Sequence, residues 1–349
     1  PLAELSNPFV SSDARSGHAG WNGPVSYATA VERAAPSVVN IYTTKMADSD
    51  ASRTRHPLLQ RRLAQRQQPQ LTLGSGVIMR RSGYILTNHH VVQGAEEIVI
   101  LTHDGRQAAA ELIGSDPESD LAVLRIQLAG LAPIVVGEPS RARIGDVVLA
   151  IGNPLGFGHS VTQGIVSAMG RWGLQPNAMY EDYIQTDATI HQGNSGGALI
   201  DTDGKLLGIN TLIYTGNDQP GSSTGIGISL AIPVDLAVFV MRDLINYGEV
   251  IRGWLGVSVE PVNTSQANGS GGKALAVVEV ARNSPAEKAG LRPGDLITHI
   301  NGQPVQDGRP TMHRIALLRP GDSVDIALRR NQQSMELRAI VGVLSQSGG

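Results

Sequence analysis

From Gly74 to Ile232 the chain is a succession of short apolar runs, each ended by a turn signal, and this pattern restricts it to a sheet protein. Gly76-Val77-Ile78-Met79, Ile98-Val99-Ile100-Leu101 and Val147-Val148-Leu149-Ala150-Ile151 read as strands. Gly164-Ile165-Val166-Ser167, Ala198-Leu199-Ile200, Leu206-Leu207-Gly208-Ile209 and residues 226–232 continue the series. Arg81-Ser82-Gly83, Asp104-Gly105 and Asp201-Thr202-Asp203-Gly204 carry the residues that reverse a chain. Many short strands with frequent turns fold as a sandwich or a barrel. The composition agrees: 41 glycines and 19 prolines in 349 residues suit a turn-rich β protein, and with 4% aromatics the core must be aliphatic. Upstream, residues 37–42 read as the first strand, after a short helix over 26–34. Residues 1–25, rich in Gly, Ser, Asp and Asn, read as disordered.

One segment within the strand series carries chemistry. Gly193-Asn194-Ser195-Gly196-Gly197 sets a serine between glycines, just before the strand Ala198-Leu199-Ile200. A serine hydroxyl is a weak nucleophile at neutral pH and needs a base beside it and backbone donors around the developing oxyanion. Glycines let N–H groups converge there. Upstream, Tyr84-Ile85-Leu86-Thr87-Asn88-His89-His90-Val91-Val92 carries a strand to two histidines. Ser119-Asp120-Leu121-Ala122-Val123-Leu124 puts an acid at the mouth of another apolar strand. His90, Asp120 and Ser195 then stand as base, acid and nucleophile, in the chain order of the chymotrypsin-type proteases. Gly193-x-Ser195-x-Gly197 also fits the nucleophile elbow of α/β-hydrolases, but that fold needs its acid and histidine after the serine. Only His299 and His313 follow, in a separate module.

Thr87-Asn88-His89-His90-Val91, Ser119-Asp120-Leu121-Ala122-Val123-Leu124 and Gly193-Asn194-Ser195-Gly196-Gly197-Ala198-Leu199 resemble the three signatures of the HtrA/Deg serine proteases. Gln185-Thr186-Asp187-Ala188, Gly208-Ile209-Asn210-Thr211 and Gly225-Ile226-Gly227-Ile228 with Ala231-Ile232-Pro233 match as well. The resemblance implies a mainly β fold, a chymotrypsin-like double β-barrel of two six-stranded barrels with the site between them. It makes His90, rather than His89, the base, Asp120 its orienting acid, Ser195 the nucleophile, and the N–H groups of Gly193 and Ser195 the oxyanion hole. A peptide flipped at Gly193 would leave that hole absent at rest. Two departures stand out: His191-Gln192 ahead of Gly193, and the loop 170–182, which the resemblance makes the sensor of ligand on a PDZ domain and which carries Trp172, but without the arginine that some relatives have in its second half.

A second module begins at Gly253-Trp254-Leu255-Gly256-Val257, after a connector helix over 234–247 with Leu236, Phe239, Val240 and Leu244 at helical spacing. Ser284-Pro285-Ala286-Glu287 is a capping box with proline at the first helical position. Asn301-Gly302 marks a tight hairpin, and a second helix is expected over 310–318. The pattern resembles a PDZ domain (α+β), and one such segment at the C-terminus points to the DegS-type branch. The resemblance makes Trp254, Leu255, Gly256 and Val257 the loop that captures a peptide's C-terminal carboxylate. Leu255, Val257, Ile315 and Leu318 would line the pocket for its last, hydrophobic side chain, although periodicity alone leaves Ile315 and Leu318 equally open to a core role. The expected division is 1–25, a polar segment; 26–233, the protease domain; 234–252, the connector; and 253–345, the PDZ domain.

A net charge of −3 gives no sign of nucleic-acid binding, and the absence of cysteine excludes disulfides and cysteine-ligated metals. No metal or cofactor is expected. Thr189 stands six residues before Ser195, where trypsin-like enzymes put an aspartate, so no buried anion awaits Lys or Arg. Thr189, Ile209, Leu212 and Ile228 suggest a small apolar pocket and cleavage after Val, Ala or similar residues. Residues 46–70, with Arg53, Arg55, Arg61, Arg62 and Arg66, read as a solvated loop, which the resemblance makes a loop controlling access. It further implies a periplasmic homotrimer, an N-terminal inner-membrane anchor preceding this chain, a membrane-bound anti-sigma factor as substrate, and C-terminal peptides of misfolded outer-membrane proteins as activators. A peptide-binding chaperone or scaffold without turnover, and a lipase-like esterase, are the rival readings.

Overall fold

The computed structural model describes residues 26–45, 70–153, 158–172, 181–191, 193–214, 228–264, 272–305 and 307–343. Residues 1–25, the arginines of 46–69, Gln192 and the middle of the 170–182 loop lie outside the described residues, as does the side chain of Leu212. Helix α1 (Ala28–Ala34) begins where the Ser26 hydroxyl accepts the N–H of Ala28 at 3.2 Å.

The first sheet holds β1 (Val38–Lys45), β2 (Gln70–Ile78), β3 (Tyr84–Thr87), β4 (Glu97–Leu101), β5 (Gln107–Ala109), β6 (Glu111–Asp116) and β7 (Leu121–Arg125). Its seven strands run in the order β5-β4-β1-β2-β3-β7-β6. The two end strands are separated by Ala110 alone, so the sheet curls into a half-barrel. It differs from a closed six-stranded barrel in that β5 pairs only with β4 and β6 only with β7; the Ala110 N–H, donating to the Ile98 carbonyl at 2.9 Å, is the last rung on the β4 side. The second sheet, β8 (Val147–Gly152), β9 (Ser160–Arg171), β10 (Tyr183–Thr186), β11 (Ala198–Ile200), β12 (Leu206–Tyr214) and β13 (Ile228–Pro233), is a closed barrel in the order β10-β13-β12-β11-β8-β9.

Alternation along these strands sends aliphatic side chains inward. Ile41, Ile85 and Leu124 fill one interior, and Val148, Ile184 and Leu199 fill the other. Each such side chain contributes about 1.5–3 kcal/mol when fully buried. A third cluster joins the barrels: Leu86, Leu121, Ile151 and Ile232 pack with Val240 and Leu244 of the connector helix. The short α2 (His89–Val92) leaves β3, and the connector is α3 (Val234–Tyr247), ended by Gly248 at φ +79°.

The C-terminal module holds β14 (Gly253–Trp254), β15 (Val257–Thr264), β16 (Gly272–Val280), β17 (Leu296–Ile300), β18 (Gln303–Pro304), β19 (Ser323–Arg330), β20 (Gln333–Ile340) and β21 (Gly342–Val343). Its helices are α4 (Pro285–Lys288) and α5 (Gly308–Ala316). The Ser284 hydroxyl accepts the Glu287 N–H at 3.1 Å as the capping box requires, while the Glu287 carboxylate reaches back to the N–H of Asn283 at 2.6 Å. Helix α5 starts earlier than Pro310 because the Asp307 carboxylate accepts the Arg309 N–H at 3.1 Å and caps it. Asn301 and Gly302, at φ +49° and +73°, make the expected tight hairpin.

Candidate active site and peptide groove

Strand β3 delivers Thr87, and the chain turns at once into α2, which lifts His90 to the mouth of the cleft with 42% of its side chain exposed. Asp120 sits just before β7 at φ +53°, a left-handed backbone that a short polar residue tolerates. Four hydrogen bonds tie the two segments together. The His89 N–H and the Asn88 amide both donate to the Asp120 carbonyl at 3.0 Å. The His90 N–H donates to Asp120 Oδ1 at 3.0 Å, and His90 Nδ1 lies 2.7 Å from Asp120 Oδ2. A carboxylate on Nδ1 holds the proton there and leaves Nε2 as the free acceptor. Asp116 stabilises the turn before Asp120: its carboxylate accepts the N–H and hydroxyl of Ser119 and the guanidinium of Arg252 from the domain linker.

Ser195 comes from the second barrel. Its hydroxyl donates to the Thr211 carbonyl at 3.0 Å, and the Thr211 hydroxyl donates to Asp120 Oδ2 at 2.8 Å. The chain Ser195–Thr211–Asp120–His90 therefore closes across the cleft with the serine turned to Thr211 rather than hydrogen-bonded to the histidine. Ahead of it, the Asn194 N–H donates to the His191 carbonyl at 2.9 Å, closing a turn with Gly193 third at φ +97°, a position glycine takes without strain. Gly196 is seated so closely that a Cβ would stand 2.1 Å from the Ser75 carbonyl oxygen and 2.3 Å from Thr87 Oγ1.

At the C-terminal module, a groove of about 680 Å³ runs between β15 and α5. Trp254, Leu255, Gly256, Val257 and Ile315 line it, and so does Trp172, which belongs to the protease domain. The Leu255 and Gly256 carbonyls accept the N–H groups of Ala286 and Ala281 at 2.9 Å each, which fixes the loop. Trp172 lies under the guanidinium of Arg309 at 5.6 Å, one wall of the groove against the other.

Comparison with known proteins agrees with this geometry. A family model described as trypsin-like peptidase domain matches residues 74–209, and one described as PDZ domain matches residues 253–341. Serine endoprotease DegS of Salmonella typhimurium is 42% identical over 323 residues, spanning 91% of this chain and 86% of that protein. The chain belongs to the HtrA family. It is a DegS-like serine endoprotease of the trypsin-like class with one PDZ domain. A structure titled HtrA-type protease AlgW with tripeptide matches it at 46% identity and TM-score 0.73, covering 92% of this chain and 98% of that one. A DegP-like relative from Hahella chejuensis, named as a probable periplasmic endoprotease, is 39% identical over 331 residues, 90% of this chain and 69% of that protein.

Within this HtrA protease the residues expected from sequence fall into two groups. His90, Asp120, Gly193 and Ser195 meet at one cleft, and Trp254, Leu255, Gly256, Val257 and Ile315 meet at one groove. Leu318 packs partly buried against the PDZ core and is not among the groove's lining residues. Of the residues assigned to the specificity pocket, three have described side chains. Ile209 is wholly enclosed in the core, Ile228 packs half-buried against it, and Thr189 is exposed, its carbonyl accepting the Thr162 hydroxyl at 2.7 Å. Sequence reasoning passed over Ser75 and Arg252, gave Thr211 no role, and placed Trp172 in the ligand-sensing loop without assigning it to the groove. Arg252 and Trp172 acquire their partners only through the packing of one domain on the other. Among the described residues no group of three or more His, Cys, Asp or Glu is placed to hold a metal, and no helix is long and apolar enough to cross a membrane.

Proposed function

We propose that this HtrA protease is a peptide-gated endopeptidase in which His90 is the general base, Asp120 orients it, Ser195 is the nucleophile, and the N–H groups of Gly193 and Ser195 form the oxyanion hole. His90 takes the Ser195 proton as the hydroxyl attacks the scissile carbonyl, then gives it to the leaving amine. The observation that carries the gating is Trp172. It stands on the segment 170–182 of the protease domain yet forms a wall of the PDZ groove, so a peptide in the groove touches both domains. Binding that prefers one arrangement of Trp172 shifts the population of the protease toward it. The resting contact of Ser195 with Thr211 supports a site awaiting that shift.

The same reading extends to biology. The enzyme acts in the periplasm as a homotrimer in the envelope-stress response, cleaving a membrane-bound anti-sigma factor after small or aliphatic residues. Exposed C-termini of misfolded outer-membrane proteins are its activating ligands. The names of the DegP-like relatives support the compartment, and the AlgW structures titled with tripeptide and decapeptide support peptide ligands. The absence of an acid at Thr189 supports the preference for uncharged side chains. The chain divides functionally as 26–233, 234–252 and 253–345.

The test is cleavage of an unfolded protein by wild type and Ser195→Ala, with and without a peptide ending in a hydrophobic residue. Turnover should fall about 10⁶-fold in Ser195→Ala. Activity that needs Ser195 and rises with peptide supports the proposal, while activity indifferent to peptide removes the gating. Failure to react with a covalent serine probe would favour the scaffold reading. Val257→Glu should abolish peptide binding, and retained affinity would contradict the groove assignment.

A further inference from the structure

We propose that Ser75 is a positioning residue for the oxyanion-hole backbone, an inference that rests on Ser195 being the nucleophile. Ser75 lies on β2 of the first barrel with none of its surface exposed. It is let in by the glycines either side. A Cβ on Gly74 would stand 2.5 Å from Val91 Cγ1, and one on Gly76 would stand 2.7 Å from Ile85 Cγ2, so only a Gly-Ser-Gly run brings the strand this close.

All of its polar groups are spent on the site. The hydroxyl donates to the Gly193 carbonyl at 2.7 Å and accepts the Asn153 N–H at 2.9 Å. The backbone N–H donates to the Ser195 carbonyl at 2.9 Å, and the backbone carbonyl accepts the Thr87 hydroxyl at 2.7 Å. Ser75 thus grips the carbonyl oxygens of both Gly193 and Ser195, on either side of the peptide that carries the Ser195 N–H. The peptide joining Gly193 to Asn194 is clamped at both ends: its C=O by the Ser75 hydroxyl and its N–H by the His191 carbonyl. Asn194 cannot supply this restraint. Its side chain is buried, and neither of its amide atoms has a hydrogen-bond partner.

A backbone donor helps an oxyanion only when its direction is set before the charge appears. Losing the Ser75 hydroxyl leaves two buried backbone groups, the Gly193 C=O and the Asn153 N–H, without a partner. The turn then gains freedom to rotate toward arrangements that satisfy them, and Gly193, free of a Cβ, resists such rotation least. The effect belongs to the transition state, because substrate binding does not depend on the oxyanion donors while the tetrahedral intermediate does.

The experiment compares full-length wild type, Ser75→Ala and Ser75→Cys with peptide activator present. It reads kcat, KM, and the Ki of a peptide boronic acid, whose tetrahedral adduct on serine fills the oxyanion position. Ser75→Ala should lower kcat about 10- to 100-fold with KM within about 3-fold, and the boronate Ki should rise by the same factor as kcat falls. Ser75→Cys keeps a weak donor and should fall between. A purely structural tie between barrels would instead lower the melting temperature while kcat per folded molecule and the boronate Ki stay at wild-type values, which would overturn the proposal. If Ser75→Ala does not fold, wild-type kcat in Ser75→Cys overturns it equally. Retained turnover in Ser195→Ala would show that the nucleophile assignment has failed, an outcome separable from a failure at Ser75.

Discussion

The Ser195 hydroxyl donates to the Thr211 carbonyl at 3.0 Å, and the same threonine gives its own hydroxyl to Asp120 at 2.8 Å. One buried residue therefore holds the serine with its backbone and the acid with its side chain. Thr211→Val keeps the shape and the carbonyl and removes only the donor to Asp120. A hydrogen bond to a charged group contributes about 1.5–3 kcal/mol. We expect kcat/KM to fall about 10- to 100-fold with little change in KM, and Thr211→Ser to restore it. Initial rates on a peptide substrate check this; an unchanged kcat/KM would remove Thr211 from the site's machinery.

Gly196 has no room for a side chain. At φ +84° its Cα faces the backbone of Ser75, and a Cβ would stand 2.1 Å from that carbonyl oxygen. Gly196→Ala must either push the nucleophile turn away from the first barrel or strain it. Labelling by a fluorophosphonate should slow by about 100-fold or more, since a misplacement of about 1 Å carries such a penalty. Labelling at the wild-type rate would mean that the turn moves freely.

The strands, the order of base, acid and nucleophile, and the helix caps were legible in the sequence because each is set by neighbours in the chain. The capping serine Ser284 and the turn at Asn301-Gly302 need only local backbone geometry. What the sequence withheld depends on long-range closure. Ile209 reads from the sequence as a pocket residue, while its complete burial in the cluster between the barrels is set by how the sheets close. Ser75 and Thr211 carry no signal of their own, since a buried hydroxyl is defined by partners 118 residues away in one case and 91 in the other. For Trp172 the resemblance marked the loop, and only the packing of the two domains shows that this side chain lines the PDZ groove.

Arg319 locks the PDZ domain to the connector helix. Its guanidinium makes two hydrogen bonds of 2.6 Å to the carboxylate of Asp243, which is wholly buried, and lies 4.4 Å from the Phe239 ring centroid. Removing one partner of such a pair leaves an uncompensated buried charge, which costs about 3 kcal/mol or more. Arg319→Ala should lower the melting temperature by several degrees, and Arg319→Lys should recover only part of the loss because an ammonium cannot reproduce the paired fork. Calorimetry decides it. The double variant Arg319→Ala with Asp243→Asn should be more stable than Arg319→Ala alone if the orphaned carboxylate is the cause.

Asp182 and His313 meet across the domain interface, His313 Nε2 lying 3.8 Å from Asp182 Oδ2. Burial, helped by the like charge of Asp235, pushes the Asp182 carboxyl from 3.8 up to about 6. Burial pushes His313 from 6.5 down to about 4, with Asp235 opposing and Arg252 assisting. The signs are opposite. A carboxyl whose pKa is raised on folding weakens the folded state as pH rises from its free value through about 6, and the full cost is present above that. A histidine whose pKa is lowered weakens it as pH falls from 6.5 through about 4. Asp182→Asn removes the first cost, so it should stabilise the protein at pH 7.5, less so as pH passes down through 6, and not at all below about pH 4. A shift of this size corresponds to about 3 kcal/mol for an enclosed group, but 35% of the Asp182 side chain still reaches solvent, so we expect about 1 kcal/mol and a rise of about 2 °C. His313→Asn should show the mirror profile, its gain growing as pH falls below 6.5 and complete below about pH 4. Thermal unfolding of both variants between pH 4 and pH 8 measures the two limbs, and a gain from Asp182→Asn that is flat across that range would show that its carboxyl titration is not linked to folding.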